Sequence, residues 1–535
     1  MIDGSMQSFS LTLDRIVDHA AKWYCDTEVV TAGSNGNISR VGYGELASRA
    51  RRVSRVLADK GVAFGERVAT LAWNTQAHLE AWFAIAGMGA VCHTLNPRLT
   101  ASQLSWMIGQ SGARLLIVSA DLLSLAGTIV TEAAVLKHIL VIDGEAEGDL
   151  PEQVELELLL PLLEQADDHY VWGGFSEEAP SGLCFTSGST GAPKGVTYTH
   201  RASFLHTLRL LQADSLALRS ADTVLPVVPM FHANAWGLPF AVPATGGRLV
   251  LPGRHTDGLN LARLIAGQNV TVAVGVPTVW LRLAEDVSAA RMKLPTLQRI
   301  IVGGAPMPPA LKARLESELA VTVQTTWGMT ELSPVGTVAP LSDTVRPAEL
   351  SGRPAIGVDL MLADEFGVPL ARQRGQEGRL HVRGAAVVER YFGQDTPATT
   401  PDGWFDTGDL ARIDLRGNLM ITGRAKDLIK SGGEWINPAE IEGVINALPQ
   451  VALAAVIGRS DEKWGERPVL MVELRDGQRI SDEELLGTLR GRVAAWWIPD
   501  AVIRLASMPL AGTGKIDKMQ LRANHQELID TATRT

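Results

Sequence analysis

The chain has 535 residues, of which 46% are hydrophobic and 20% charged, and its formal net charge is −10, so we expect an ordinary globular protein of two or more domains. The acidic balance disfavours nucleic acid or an anionic membrane as a partner, and no apolar run reaches the ~18–20 residues that span a bilayer. Because the N-terminal stretch lacks a secretory signal and the three cysteines lack the paired spacing of a zinc or redox site, we expect a cytoplasmic protein without an integral membrane segment.

The first 120 or so residues combine two hydrophobic patterns, a period of 3.6 residues and short apolar runs. They predict helices over 11–24, 43–60, 77–85 and 101–110, and strands over 67–73, 87–95 and 115–119. Asn74 and Thr75 precede the third helix and can cap it. Such alternation of strands and helices predicts an α/β fold.

The alternation continues to about residue 330 and then changes. The predicted strands are 183–185 paired with 196–199, 223–228, 270–274, 297–302 and 321–325, and the predicted helices are 200–216, 259–267, 277–284 and 309–319. Short glycine-rich strands between Gly352 and Arg383 predict a small β subdomain.

The last ~110 residues form a candidate α+β domain of ordinary size. Its predicted helices are 437–448 and 482–495, and its predicted strands are 451–457 and 469–474. We therefore expect a large N-terminal domain over 1–423, a hinge over 424–428 and a C-terminal domain over 429–535.

A run rich in glycine and hydroxyl groups joins the paired strands 183–185 and 196–199. Its polar and glycine positions are Thr186, Ser187, Gly188, Ser189, Thr190, Gly191 and Lys194. Glycines let backbone N–H groups turn toward an anion, hydroxyls add donors, and a lysine supplies a point charge for phosphate oxygens. We interpret the run as a phosphate loop on a hairpin, and a flexible surface turn is the alternative. Its spacing differs from the nucleotide loop that ends in GK[ST] before a helix.

Three further segments follow predicted strands, where ligands collect in α/β folds. One runs from Pro229 to Gly237 and contains His232 and Trp236. The other two are Gly303-Gly304-Ala305-Pro306 and Trp327-Gly328-Met329-Thr330-Glu331. We expect these segments and the phosphate loop to line one cleft. From the residues alone, a structural turn remains the alternative for residues 303–306, and a helix start remains the alternative for Thr330-Glu331.

The remaining candidates lie after residue 400. Gly408-Asp409 offers a carboxylate whose two oxygens suit a vicinal diol, and Arg424 and Lys426 occupy the predicted hinge. Ser431-Gly432-Gly433-Glu434-Trp435 permits close passage of a slender chain, with a helix-capping turn as the alternative. Gly512-Thr513-Gly514-Lys515 suits a loop that delivers one positive charge.

Taken in chain order, these segments resemble the motifs of the adenylate-forming superfamily. That superfamily contains acyl- and aryl-CoA synthetases, peptide-synthetase adenylation domains and luciferases. The run from Thr186 to Gly195 resembles the superfamily's signature, and the resemblance covers nearly the whole chain. It implies an α/β fold with a large N-terminal adenylation domain and a small, mobile α+β C-terminal domain.

The resemblance also implies roles for the residues of the N-terminal domain. The phosphate loop, residues 303–306 and residues 327–330 bind ATP and AMP, with Thr330 on the α-phosphate. Glu331 ligates Mg²⁺, with Thr186 as a second ligand. Asp409 accepts from the ribose hydroxyls, and Arg424 adds a ribose or phosphate contact.

For the C-terminal domain, the resemblance makes Lys426 the pivot of a domain rotation, with a solvated charge as the alternative. It assigns residues 431–435 to coenzyme A. Lys515 neutralises charge as a carboxylate attacks the α-phosphate, while the neighbouring Lys518 is expected to be solvated.

The segment from Pro229 to Trp236 resembles medium- and long-chain fatty acyl-CoA synthetases, a group that includes ligases for 3-methylmercaptopropionate. The resemblance places His232 and Trp236 in an acyl pocket. It implies a ligase that uses ATP, Mg²⁺ and coenzyme A to activate a small-molecule carboxylic acid, and it implies a homodimer. The alternatives are an aryl acid or another acceptor as substrate, or an inactive nucleotide-binding scaffold.

Overall fold

The computed structural model describes residues 3–33, 36–145, 154–186, 193–432, 434–510 and 516–531. Its α-helices are α1 (Asp14–Trp23), α2 (Tyr43–Asp59), α3 (Gln76–Gly87), α4 (Ala101–Ser111), α5 (Leu123–Glu132), α6 (Leu159–Gln165), α7 (His200–Leu210), α8 (Leu238–Thr245), α9 (Gly258–Gln268), α10 (Pro277–Ala289), α11 (Pro309–Leu319), α12 (Pro438–Asn446), α13 (Asp482–Gly487) and α14 (Lys518–Thr531). Short 3₁₀ turns cover Ala120–Leu122, Ala233–Gly237, Thr330–Leu332, Ala425–Asp427 and Ala495–Trp497.

The strands are β1 (Glu28–Ala32), β2 (Ile38–Gly42), β3 (Arg67–Leu71), β4 (Val91–Thr94), β5 (Leu115–Ser119), β6 (His138–Ile142), β7 (Glu155–Leu158), β8 (Pro180–Thr186), β9 (Lys194–Thr199), β10 (Thr223–Pro226), β11 (Arg248–Leu251), β12 (Val272–Gly275), β13 (Arg299–Val302), β14 (Thr322–Gly328), β15 (Val335–Val338), β16 (Arg353–Pro354), β17 (Val358–Ala363), β18 (Glu377–Gly384), β19 (Phe405–Ile413), β20 (Leu419–Arg424), β21 (Ile429–Ser431), β22 (Glu434–Ile436), β23 (Val451–Asp461), β24 (Gly465–Leu474) and β25 (Ala501–Leu505).

Local sequence explains several helix starts. The Thr75 hydroxyl accepts from the backbone N–H of His78 at the start of α3, as the sequence predicted. Thr100 and Gln103 form a capping box at α4, which ends at Gly112 with a left-handed φ of 69°. Such caps satisfy backbone groups that have no partner within the helix.

The first sheet has the strand order β7-β6-β5-β3-β4-β8-β9. Its strands are parallel except for the antiparallel pair β8–β9. In this pair Phe185 lies opposite Gly195, and Thr186 lies opposite Lys194. The predicted hairpin is therefore present, and residues 187–192 of the phosphate loop lie outside the described residues.

The second sheet has the order β16-β15-β14-β13-β12-β10-β11-β1-β2. From β14 to β1 its strands run parallel, so the carboxyl ends of β10, β12, β13 and β14 meet at one edge. The sequence did not predict β1, β2 or β11. It also ended β14 too early, because the strand includes Trp327 and Gly328.

One continuous apolar cluster joins the two sheets. It includes Val68 and Ile117 from the first sheet and Val224 and Val272 from the second, together with Phe83 of α3, and each is almost completely buried. Close packing of such side chains leaves little freedom for relative movement. The two sheets therefore hold their strand ends in fixed relative positions.

Two smaller sheets complete the structure. The antiparallel sheet β17-β18-β19-β20 forms the predicted β subdomain and extends to Arg424, well beyond the predicted limit at Arg383. The C-terminal sheet has the order β22-β21-β24-β23, with β25 beside β24. Arg475 of this domain forms a 3.1 Å ion pair with Glu285 of α10.

The predicted helix over 482–495 is wrong in length. α13 ends at Gly487, and Gly491 adopts a left-handed φ of 74°, which is incompatible with a continuing right-handed helix. Among the helices that the structure describes, none is long and apolar enough to cross a membrane.

Candidate active site

The described parts of the four candidate segments of the N-terminal domain converge, as the pattern of strand ends predicted. Three of them follow β10, β13 and β14 at one edge of the second sheet. The phosphate hairpin reaches this edge from the first sheet, since the Tyr198 hydroxyl of β9 donates to the Thr330 carbonyl at 2.9 Å. Loop residue Phe392 also donates its backbone N–H to Gly195 O at 2.8 Å.

A left-handed turn places Trp236 against the Gly303 segment. Ala233, Asn234, Ala235 and Trp236 have φ values of 44°, 52°, 45° and 57°, a conformation that non-glycine residues rarely adopt. The buried indole of Trp236 leaves no room for a side chain at Gly303, where a Cβ would overlap Thr326 Oγ1 and lie 2.9 Å from Trp236 Cη2. His232 is half-buried at the start of this turn.

The other residues of the Gly303 segment occupy the loop between β13 and α11. Gly304 has a φ of 78°, and a Cβ there would lie 3.7 Å from Trp236 Cζ2. Ala305 is half-buried and Pro306 exposed. Trp236 and the Gly303 segment thus share one wall of the cleft.

Asn74 holds the loop that leads into the left-handed turn. Its side-chain amide donates to Pro226 O and Val228 O at 3.0 and 2.9 Å, and its Oδ1 accepts from Met230 N at 2.7 Å. Asn74 is 3% exposed, so these bonds replace water for three buried backbone groups. For Asn74 the sequence predicts only a helix cap, because no local pattern shows that its side chain reaches residues more than 150 positions away.

Replacing Asn74 by alanine should lower the free energy of unfolding by about 3 kcal/mol, since buried backbone donors and acceptors lose their partner. Chemical denaturation would measure this change. The exposed Asn260, whose side-chain amide donates to Asp257 at the start of α9, provides the control N260A, with an expected change below about 1 kcal/mol. Equal changes in the two variants would contradict the role of Asn74.

Glu331 is a buried carboxylate with one hydroxyl partner. It is 8% exposed, and the Tyr391 hydroxyl donates to its Oε1 at 2.9 Å. Burial raises the pKa of Glu331, while the Tyr391 hydrogen bond and the charges of Arg424 and Lys194 oppose this shift. The Lys194 ammonium lies 4.8 Å from the centre of the Tyr391 ring. Tyr391 was missed in the sequence, because no local pattern links it to Glu331, 60 positions earlier.

Asp409 is held from two sides. Its Oδ2 accepts from the Trp327 indole N–H at 3.0 Å, and its Oδ1 forms a 2.8 Å ion pair with Arg424 Nε. Arg424 also donates to the Thr407 carbonyl at 3.2 Å. Asp409 and Arg424 are direct partners across β19 and β20. The predicted residues Trp327, Asp409 and Arg424 therefore form one cluster.

The predicted metal ligands are Thr186 and Glu331. Thr186 is the last residue of β8. The described part of the chain contains no group of three or more histidine, cysteine, aspartate or glutamate side chains that could hold a metal ion. Glu331 and Thr186 as protein ligands fit Mg²⁺, which is usually bound by one or two carboxylates together with waters and substrate phosphates.

Residues 431–435 form a β-hairpin. Ser431 pairs with Glu434 across β21 and β22, and the predicted residue Gly433 lies outside the described residues. Gly432 has a φ of 61°, and its N–H donates to Trp464 O at 2.7 Å. Trp435 is 48% exposed. The cap of α12 is not part of this turn, because Asn437 accepts from Ala439 N.

The expectation that Lys518 is solvated is wrong. Its ammonium pairs with Glu442 at 2.7 Å and Asp427 at 3.8 Å, and it is 18% exposed. Lys426 lies in the neighbouring 3₁₀ turn, where partial burial and the charges of nearby arginines and of Lys518 lower its pKa. Lys515 lies outside the described residues.

Two family descriptions match the chain, one over its N-terminal part and one over its C-terminal part. Residues 17–392 match the AMP-binding enzyme family, and residues 440–515 match the AMP-binding enzyme C-terminal domain. The chain belongs to the AMP-binding enzyme family. This confirms the predicted superfamily.

Relatives of this AMP-binding enzyme span its whole length. It is 38% identical to 3-methylmercaptopropionyl-CoA ligase of Ruegeria lacuscaerulensis, over 98% of this chain and 99% of the relative. It is 39% identical to long-chain-fatty-acid–CoA ligase of Thermus thermophilus, over 98% and 97%. ATP-bound MatB from Rhodopseudomonas palustris has a similar structure, with a TM-score of 0.84 and 25% identity over 97% of this chain and all of that one. These findings confirm the predicted fold class and the prediction of an acyl-CoA ligase.

Proposed function

We propose that this AMP-binding enzyme joins an aliphatic carboxylic acid, a fatty acid or a thioether acid such as 3-methylmercaptopropionate, to coenzyme A with release of AMP and pyrophosphate. The observation that carries the proposal is the packing of Trp236 on Gly303. It brings the proposed acyl pocket, marked by His232 and Trp236, next to the proposed nucleotide site. The full-length relatives that act on aliphatic acids support the choice of substrate class.

In the proposed nucleotide site, the Gly303 segment and residues 327–329 contact adenine. Asp409 and Arg424 contact the ribose. The phosphate loop, including Lys194, binds the phosphates, and Thr330 contacts the α-phosphate. The buried position of Glu331 and Asp409 supports these roles, since burying a carboxylate is unfavourable unless its oxygens bind a cation or accept hydrogen bonds.

Glu331 and Thr186 would hold Mg²⁺, which when bound neutralises charge on the phosphate oxygens. Tyr391 orients the Glu331 carboxylate through its hydroxyl. Lys194 contributes a second positive charge close by.

The proposed reaction has two steps. A carboxylate oxygen of the acid first attacks the α-phosphorus of ATP, the bond to pyrophosphate breaks, and Lys515 neutralises the developing charge. The C-terminal domain then rotates about Lys426. The sulfur of coenzyme A, which passes the hairpin 431–435, attacks the acyl carbonyl and AMP leaves.

Pyrophosphate release with MgATP across a panel of acids tests this proposal, with and without coenzyme A. The panel runs from propionate through 3-methylmercaptopropionate and aryl acids to palmitate, with products identified by mass spectrometry. Acyl-CoA and AMP from aliphatic acids are the expected products. Preference for an aryl acid, adenylate without thioester, or no turnover would each overturn the proposal in favour of one of the alternatives. A homodimer and a cytoplasmic location stay predictions.

Trp236→Ala should change chain-length selectivity, because the indole occupies the wall between the proposed acyl pocket and the Gly303 segment. We expect the preferred acid to become longer by two or more carbons, while ATP still supports turnover. Comparison of kcat/KM across the acid panel measures this shift. The exposed Trp23 at the end of α1 provides the control W23A, and identical profiles for both variants would exclude the pocket role.

A further inference from the structure

The indole N–H of Trp327 hydrogen-bonds to a residue that the proposed function assigns to ribose. It donates to Asp409 Oδ2 at 3.0 Å, and both residues are buried. Their positions in the chain are 82 residues apart. An aromatic ring that only stacked on adenine would not need this N–H, and phenylalanine would serve equally well.

The ring of Trp327 is fixed by its surroundings. A Cβ on Gly336 would lie 2.8 Å from Trp327 Cζ3 and 2.9 Å from Leu332 Cδ2, so the ring fills the space above this glycine. The register between β14 and β15 shifts at Trp327 and Gly328. The indole therefore presents its N–H to Asp409 from a buried, closely packed position, and such packing keeps a binding group in its productive geometry.

The second partner of Asp409 is less enclosed. Arg424, which pairs with Oδ1, is 42% exposed in its side chain. A guanidinium at the surface exchanges partners more readily than a buried indole, whose only polar hydrogen has one direction. Of these two contacts to the carboxylate, the one from Trp327 is therefore the more enclosed.

We propose that Trp327 is a positioning residue that orients Asp409 toward the ribose hydroxyls and thereby sets the discrimination between ATP and deoxy-ATP. The inference rests on the proposed function, because it assumes that Asp409 binds ribose. A site whose polar group is aimed at a substrate hydroxyl rejects the analogue that lacks it, since the group is then left unpaired. If the Asp409 carboxylate is no longer oriented toward the ribose hydroxyls, this discrimination weakens even though the carboxylate is still present.

Trp327→Phe tests the inference, because it keeps an aromatic face and removes the N–H. The readout is the ratio of kcat/KM for ATP to that for 2′-deoxy-ATP and for 3′-deoxy-ATP in acyl-adenylate formation. We expect at least one ratio to fall roughly tenfold, the size of one hydrogen bond to a charged group, with the change mainly in KM for ATP. Trp327→Tyr, whose hydroxyl lies farther from the backbone than the indole N–H, should lower the same ratio and serves if the phenylalanine variant does not fold.

Trp280 provides a matched control. It is completely buried, and its Nε1 has no hydrogen-bond partner within the described residues, so Trp280→Phe should leave both ratios unchanged. Asp409→Asn should lower them, and adding Trp327→Phe to it should cause no further fall, because residues that act through one another are not additive.

The outcomes separate the two proposals. If Asp409→Asn lowers the ratios and Trp327→Phe leaves them unchanged, the inference is wrong and the ribose role of Asp409 stands. If Asp409→Asn leaves them unchanged, the ribose role fails and the inference fails with it. Additive falls in the double variant would show that Trp327 acts on the nucleotide independently of Asp409.

Discussion

Glu331→Gln should lower the rate of acyl-adenylate formation by about 10²–10³, the range found when one electrostatic stabiliser is removed from an active site. The glutamine keeps the size of the side chain but removes the charge that Mg²⁺ requires. Because Tyr391 Oη donates to Oε1, the amide oxygen can still accept this bond, and the variant should fold. The measurement is pyrophosphate exchange at increasing Mg²⁺ concentration, where the variant should need more Mg²⁺ for half-maximal rate.

A pH profile gives a second readout for Glu331. Burial raises the pKa of its carboxyl, and only the ionised form binds Mg²⁺ strongly. Adenylate formation by the unchanged enzyme should therefore fall as pH decreases through this raised pKa, and the glutamine variant should lack that decrease.

The exposed Glu389, in the loop that also carries Tyr391, provides the control E389Q. This variant should retain the rate of adenylate formation, the Mg²⁺ requirement and the fall in rate at low pH that the unchanged enzyme shows. If Glu331→Gln behaves in the same way, Glu331 is not the metal ligand.

Lys515→Ala should remove most acyl-adenylate formation, also by about 10²–10³, while thioester formation from supplied acyl-adenylate and coenzyme A continues. The reason is that the lysine is expected to neutralise charge only when the carboxylate attacks the α-phosphate. Single-turnover measurements of the two steps separate these effects. Equal loss of both steps would show that the lysine is assigned to the wrong role.

Lys518→Ala is the control for Lys515→Ala, since it removes a positive charge three positions away. Lys518 pairs with Glu442 and Asp427, so its loss should lower stability near the hinge. Acyl-adenylate formation should remain within about tenfold of the unchanged enzyme, because a structural ion pair is not part of the charge stabilisation at the α-phosphate. A selective loss of adenylation in this variant would favour Lys518 as the functional lysine.

Features that depend on short stretches of chain were predictable from the amino-acid sequence. The hairpin β8–β9, the cap of α3 by Thr75 and the alternation of strands and helices follow from apolar spacing and from side chains that bond within a few residues. Resemblance of the motifs indicated the superfamily, which the comparisons confirm. Local patterns failed for the helix predicted over 482–495, which ends at Gly487 and cannot continue through the left-handed Gly491.

The contacts between side chains that lie far apart in the chain appear only in the tertiary structure. Tyr391 reaches Glu331 across 60 residues, Trp327 reaches Asp409 across 82, and Asn74 reaches Met230 across 156. Each pair joins segments that sheet order and apolar packing bring together, in three different apolar clusters that contain Met230, Trp327 and Tyr391 respectively. A local sequence pattern does not encode such partners, because a hydrogen bond depends on distances of about 3 Å that arise only when separate strands have packed together.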